Sequence, residues 1–474
     1  MGPERIVPKS DCFRQGARQV PRRFCPPRPP NSADRCLGYR PSGNPRPWHT
    51  GSKAAHHHEP WHAARFVLMT RYTVGMRRGI VPSDRAQRTT GVHEFVAAPR
   101  MVIGNGAVLE LAHIVEEFGR SVLLVTGRSS ERTRHIEERL QNSRTTLQAL
   151  RVLQEPTVDD VRRGIGIAQG GGCDVVVAVG GGSVIDAAKA IAALLANGGD
   201  PLDYVEVVGL GRTLTIPSVP VIAVPTTAGT GAEVTKNAVL DVPEYAVKVS
   251  LRSRHMIPRV AIVDPQLTVT VPASITATTG LDALAQVLES FVSVAATPLT
   301  DALAREAMRR AAVALRRAYE NGADMEARRD MCHVSLSGGL CLANAGLGAV
   351  HGLAGPLGGM FRAPHGALCA ALLPHVMRAN IQTLRRANSG ADTLARFNEI
   401  GQLLTGRRDA DADSGIDWVE QLVQAMSIPP LSSYGVGPER FPEIIDKATR
   451  SNSMRGNPIE LDPAALGNIL RAAL

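Results

Sequence analysis

The sequence predicts an α/β fold in two parts behind a disordered extension. A parallel-sheet domain covers about 91–270, an all-helical domain covers 271–474, and residues 1–90 precede both. Three observations carry this reading. Apolar, β-branched runs alternate with helix-period segments between Ser121 and Thr227, the pattern of a parallel sheet with crossover helices. Beyond Val271 such runs stop and long helical segments follow one another. The first ninety residues show neither period.

The extension also explains the charge. The 474-residue chain carries +9, which read whole points to a nucleic-acid or anionic-membrane partner. Residues 1–90, however, hold 17 Lys+Arg against 5 Asp+Glu, a net of +12, and leave −3 on the remainder. No nucleic-acid partner is therefore expected for the body. The segment also holds 12 of the 32 prolines, a composition that suits no packed core. It reads as a disordered extension, or as residues ahead of a start at Met69 or Met76. The run His56 to His58 reads as solvated rather than metal-binding. No stretch of about 18 apolar residues predicts a membrane span, and the N-terminus lacks the apolar core of a secretory signal. Seven cysteines without a CxxC pair fit a reducing compartment, so a cytoplasmic location is expected.

The elements follow in order. Residues 95–108 read as an edge strand and a turn. SVLLVTG (121–127) is a strand buried on both faces, and 130–143 a helix. LQALRVL (147–153) is a strand, 158–172 a helix ending in glycines, and 173–182 a strand running into glycines. Residues 183–197 form the next helix and PVIAVPTT (220–227) the next strand. In the second part, 274–293, 300–322, 326–359 and 415–426 each read as one helix.

Two turns carry candidate phosphate chemistry. Gly180-Gly181-Gly182-Ser183 joins a strand to a helix, with Asp186 in the first turn and Lys189 one turn later. Glycines admit a pyrophosphate close to the backbone, and the helix N-terminus offers free N–H groups and a positive dipole end. The spacing is neither GxGxxG nor a Walker motif, and a tight turn without ligand produces the same residues. The second turn, Thr226-Thr227-Ala228-Gly229-Thr230-Gly231, brings three hydroxyls to a strand end. A loop capping a helix is its bland alternative. Two such loops at the carboxyl edge of one sheet mark where open α/β sheets bind ligands.

A third group lies in the helical part. Asp282 and Gln286, at i and i+4, share a helix face, and His351 and His365 are fourteen residues apart. A carboxylate and two imidazoles can hold a divalent metal with a position open to substrate oxygen, although each histidine alone reads more readily as structural. Leu284, Met360 and Phe361 suggest either an apolar pocket or core.

At this point the motifs GGGSVIDAAK, VPTTAGTGAEVT, IPRVAIVDPQLT, PASITATTGLDAL and HGLAGPLGGMFRAPHGALCA, in this order, resemble the iron-containing (group III) alcohol dehydrogenases. The resemblance spans about 92–474. It implies hydride transfer between an alcohol or aldehyde and NAD or NADP, with catalysis centred on Asp282, His351 and His365. Gly181, Gly182 and Ser183 would contact the pyrophosphate, with Asp186 nearby. Thr226, Thr227 and Thr230 would contact phosphates and the nicotinamide side, and Lys248 and Leu267 would line the cofactor cleft. Asp282, His351 and His365 fall on three of four metal-ligand positions for Fe2+ or Zn2+, and a homodimer is expected.

Two departures stand out. The fourth ligand position, usually His, is Gln286, a weaker neutral oxygen donor. A second His, usual four residues after the first metal-binding one, is replaced by Gly355, so a relay through it cannot operate. Related readings of the same fold are a metal-independent reductase of the maleylacetate type and a lyase of the dehydroquinate-synthase type. Where NAD-preferring relatives carry Asp at the end of the first strand, this chain has Gly127-Arg128, which predicts that NADP is accepted.

Overall fold

The computed structural model describes residues 92–474 apart from Ala246 and Ser389. The readings of residues 1–90, including the starts at Met69 and Met76 and the run His56 to His58, lie outside the described residues. Six strands form the main sheet: β1 (Arg100–Ile103), β2 (Ser121–Thr126), β3 (Thr146–Arg151), β4 (Val175–Gly180), β5 (Val221–Pro225) and β8 (Val260–Val263). Their order is β1-β8-β5-β4-β2-β3, and every neighbouring pair is parallel.

The alternation of side chains explains why the sheet is covered on both faces. Leu123, Val125, Val176, Ala178, Val221 and Ala223 point to one face. There they meet helices α3 (Val158–Gly170) and α4 (Gly182–Asn197). Val122, Leu124, Val175, Val177, Ile222 and Val224 point to the other, where α1 (Leu111–Glu116) and α2 (Ser130–Gln141) lie. This is the period-2 geometry of a strand acting on continuous apolar runs.

The second half is helical: α5 (Ala273–Val292), α6 (Pro298–Glu320), α7 (Met325–Ala345), α8 (Ala349–Phe361), α9 (His365–Arg386), α10 (Ala391–Thr405), α11 (Ala412–Ala425), α12 (Phe441–Thr449) and α13 (Pro463–Ala472). Leu284 belongs to its core and is fully buried, so it lines no pocket. Met360 and Phe361 are partly buried against the same core. The two halves share a further cluster, in which Ala261 and Val263 of β8 meet Cys332, Leu336 and Leu340 of α7.

Three expectations need correction. Residues 326–359 are two helices: α7 ends at Gly346, whose φ of +69° strongly favours glycine, and α8 leaves at 99° to it. An antiparallel hairpin of β6 (Asn237–Val242) and β7 (Val247–Arg252) was not foreseen, and neither was β8. Four residues in β8 and half-buried alternation in β6 are too short a signal to rise above a loop. No single described helix is long and apolar enough to cross a membrane; α7 and α8 meet that test only jointly, across their bend.

Candidate metal centre and cofactor cleft

Three helices bring the candidate ligands together. Asp282 lies on α5, His351 in the first turn of α8, and His365 opens α9 immediately after Pro364. Asp282 Oδ1 is 3.2 Å from His351 Nε2 and 3.8 Å from His365 Nε2. Asp282 and His351 are buried, whereas the His365 side chain keeps 38% exposure, so the group opens on that side. Cys369, one turn after His365, joins them: its Sγ is 3.5 Å from His365 Nε2. One donor atom from each of Asp282, His351, His365 and Cys369 lies within 4.8 Å of all the others.

Asp282 and His351 are each held by a neighbour. Glu289 Oε2 is 2.6 Å from His351 Nδ1, which leaves Nε2 turned toward Asp282. The same carboxylate caps α8: its Oε1 accepts the Val350 N–H at 2.6 Å, and Asn457 Oδ1 accepts the Ala349 N–H at 3.1 Å. Gly348, which precedes the helix, has no side chain to do this. A carboxylate behind a histidine orients the ring and raises its basicity as a ligand. Gln286 Nε2 donates to Asp282 Oδ2 at 3.3 Å, leaving Oδ1 for the histidines.

The members of the group are strongly coupled to one another. Burial pushes the Asp282 carboxyl up, but the hydrogen bond from His351 and the charges of both imidazoles outweigh it and hold it below the ordinary carboxylate range. Burial lowers both histidines, and the negative charge of Cys369 leads the opposing effects. His365 is pushed up to about 9, and His351 well above its usual value. A carboxylate, two imidazoles and a thiol facing one another form a fitting donor set for a divalent ion.

The two predicted loops pack on each other at the carboxyl edge of the sheet. A Cβ at Gly181 would come 3.3 Å from Thr227 Oγ1, and one at Gly182 would come 2.8 Å from Thr230. The Thr226 N–H donates to the Gly180 carbonyl at 2.9 Å. Ser183 sits in the first turn of α4, whose leading N–H groups lack helical partners. Asp186 pairs with the fully buried Lys189 at 3.0 Å and accepts the Val239 N–H at 3.0 Å. Lys189 Nζ donates to Ala232 O and Thr235 Oγ1, both at 3.0 Å. Together they pin the threonine loop and β6 to α4.

That loop also docks onto the helical half. Gly231, at φ +59°, lies against α7, where a Cβ would come 2.5 Å from Gly339 Cα. Leu267 lines a cavity of about 480 Å3 with Ser129, Arg132, His135, Gln266 and Thr270. Lys248 Nζ is 3.5 Å from a Cβ built on Gly358. His351, Gly355 and Gly358 form one stripe of α8, and a Cβ at Gly355 would meet nothing within 4 Å.

The sequence matches the iron-containing alcohol dehydrogenase model over residues 98–265 and the C-terminal model of the Fe-containing alcohol dehydrogenase family over 276–474. The chain belongs to the iron-containing alcohol dehydrogenase family. It is 33% identical to alcohol dehydrogenase 4 of Schizosaccharomyces pombe, over 84% of this chain and 92% of that protein. Among solved structures, it matches a 1,3-propanediol oxidoreductase with a TM-score of 0.75 and 31% identity, covering 81% of this chain and all of the other. It also matches a sulfoacetaldehyde reductase from Bifidobacterium kashiwanohense in complex with NAD+, with a TM-score of 0.71 and 27% identity, covering 81% and 98%. As a member of the family the chain is an enzyme, an alcohol oxidoreductase. Neither the metal-independent reductase nor the lyase reading is favoured by these relatives.

Within this family member, sequence reasoning missed two residues of the centre. Glu289 lies seven residues after Asp282, on the face that also carries Gln286. Cys369 lies four residues after His365. Helical spacing from a suspected ligand was the available signal in both cases.

Proposed function

We propose that this enzyme interconverts a small alcohol and its aldehyde by hydride transfer with NAD or NADP, at a divalent metal held by Asp282, His351 and His365. The observation that carries the proposal is the convergence of Asp282 Oδ1 on two imidazole Nε2 atoms at 3.2 and 3.8 Å, with Glu289 behind the first. When bound, a divalent ion in such a set acts as a Lewis acid on the substrate oxygen. The chain's own groups do the rest. The Gly181-Gly182-Ser183 backbone and the hydroxyls of Thr226, Thr227 and Thr230 hold the phosphates. Lys248 and Leu267 border the cofactor, while Asp186 and Lys189 position the loops. The space beside Gly355 lets water take the hydroxyl proton that a second histidine cannot take here.

The proposal divides the labour between 91–270, which binds the dinucleotide, and 271–474, which binds metal and substrate. Gly127 at the end of β2 and the exposed Arg128 favour acceptance of NADP. A homodimeric state and a cytoplasmic location complete the proposal. The free thiols of Cys173, Cys332, Cys341 and Cys369 suit a reducing compartment. The test is His351→Ala and His365→Ala, with turnover and metal content measured on each. Both are expected to lose metal and at least about 100-fold in turnover, the scale on which loss of one electrostatic stabiliser acts. Wild-type values of both quantities would overturn the assignment.

A further inference from the structure

We propose that Cys369, and not Gln286, supplies the fourth protein ligand of this centre, giving one carboxylate, two imidazoles and one thiolate, a set that selects zinc over iron. The inference rests on the reading above that a metal binds at Asp282, His351 and His365. It adds which residue completes the set and which ion the set prefers.

Distances favour the thiolate. A tetrahedral ion with bonds of about 2.0–2.3 Å keeps its donors about 3.3–3.8 Å apart. The edges of the group match: 3.2 Å from Asp282 to His351, 3.8 Å from Asp282 to His365, and 3.5 Å from Cys369 to His365. His365 Nε2 thus faces Asp282 Oδ1 and Cys369 Sγ at once. Cys369 is fully buried, one helical turn from His365 on α9. Its sulfur also lies within 4.8 Å of the facing donor atoms of Asp282 and His351.

Gln286 is turned the wrong way. Its Nε2 faces Asp282 Oδ2, the oxygen pointing away from the histidines' contacts. Its Oε1 is buried without a hydrogen-bond partner, on the side of Gly338, where a Cβ would come within 2.9 Å of it. Rotating the amide would set an oxygen against the Asp282 carboxylate, acceptor against acceptor. An amide N–H cannot ligate, so Gln286 is a positioning residue for Asp282. A thiolate in place of an imidazole brings the divalent centre to neutrality, and soft sulfur favours zinc over iron.

The test uses the full chain, freed of metal and titrated with Co2+. Visible ligand-field bands report tetrahedral binding, and a near-ultraviolet sulfur-to-cobalt charge-transfer band reports the thiolate. Wild type is expected to show both. Cys369→Ser should lose the charge-transfer band and weaken zinc binding by more than about 100-fold, since a direct ligand counts for more than the outer-shell partners whose loss costs up to about that much. Gln286→Leu should keep the band, which preserves the test if Cys369→Ser does not fold. Ligand-field bands without charge transfer in the wild type would overturn the thiolate while leaving the metal reading intact. Failure to retain any cobalt would overturn both. In anaerobic competition with equal Fe2+ and Zn2+, the wild type should retain zinc, and retention of iron would count against the proposal.

Discussion

Replacing Glu289 by Gln keeps the side chain's size and one of its two oxygens, and so isolates what the second oxygen does. In the native arrangement Oε2 meets His351 Nδ1 and Oε1 accepts the Val350 N–H, each at 2.6 Å. A glutamine has two possible placements. With its amide nitrogen toward Val350, two donors face each other at the buried start of α8. With the nitrogen toward His351, Nδ1 must become the acceptor, which puts the ring proton on Nε2, the atom that faces Asp282. The first placement leaves a buried donor unmet, at about 1–3 kcal/mol. The second turns His351 into the tautomer that cannot ligate, and loss of such a partner lowers metal affinity about 10–100-fold, or about 1.4–2.7 kcal/mol. The variant should therefore bind Zn2+ at least about tenfold more weakly by chelator competition. It should also be measurably less stable in urea when metal-free. A zinc affinity within about threefold of wild type, less than the smallest loss the argument allows, would refute the role given to Glu289.

Three further outcomes follow from the same structure. Gly231→Ala places a Cβ 2.5 Å from Gly339 Cα at φ +59°; strain and backbone overlap together should cost about 2–5 kcal/mol in a denaturant melt. Gly355→Ala, facing open space, should cost nothing, and equal losses at the two sites would count against the close approach of loop and α7. Gly127→Asp fits sterically, since its Cβ would lie 3.5 Å from Val184. Its carboxylate should lower the NADP-to-NAD ratio of kcat/KM by about tenfold or more through like-charge repulsion, and an unchanged ratio would remove Gly127 from cofactor choice. Burial pushes Glu233 from 4.5 up to about 7, against its own backbone N–H and Lys189. An acid raised on folding holds its extra proton only between those values, so the wild type should lose stability as pH rises from 4.5 to 7. Glu233→Gln should match wild type near pH 4 and exceed it above pH 7 by up to about 3 kcal/mol. A gap that does not change with pH would show that Glu233 is not the titrating group.

Much of this was legible in one dimension. Leu123 through Val125 and Val175 through Val179 are short apolar runs between glycines and helix-period segments, and they read as strands because both the period and the stops are local. The hairpin β6–β7 was missed because six half-buried residues carry too few alternations to stand out. The long helix over 326–359 was drawn straight through Gly346, because hydrophobic spacing persists across the turn while the backbone does not. In the site, Asp282, His351 and His365 were found because their motifs survive intact. Cys369 was not singled out although it lies within the last quoted motif, and Glu289 lies outside every quoted motif.

The sequence by itself determined the layered α/β half, the helical half, the glycine and threonine loops at the sheet edge and three residues of the candidate metal cluster, because each depends on neighbours a few positions away. Only the tertiary structure decided what completes and orients the centre. Glu289 reaches His351 across 62 residues, Lys189 reaches the threonine loop across more than 40, and Gly231 meets Gly339 across more than 100. Whether Gln286 turns oxygen or nitrogen to Asp282, and whether a thiol comes within reach, depends on how α5, α8 and α9 pack. Packing is a property of three surfaces meeting at once, which no single stretch of sequence contains.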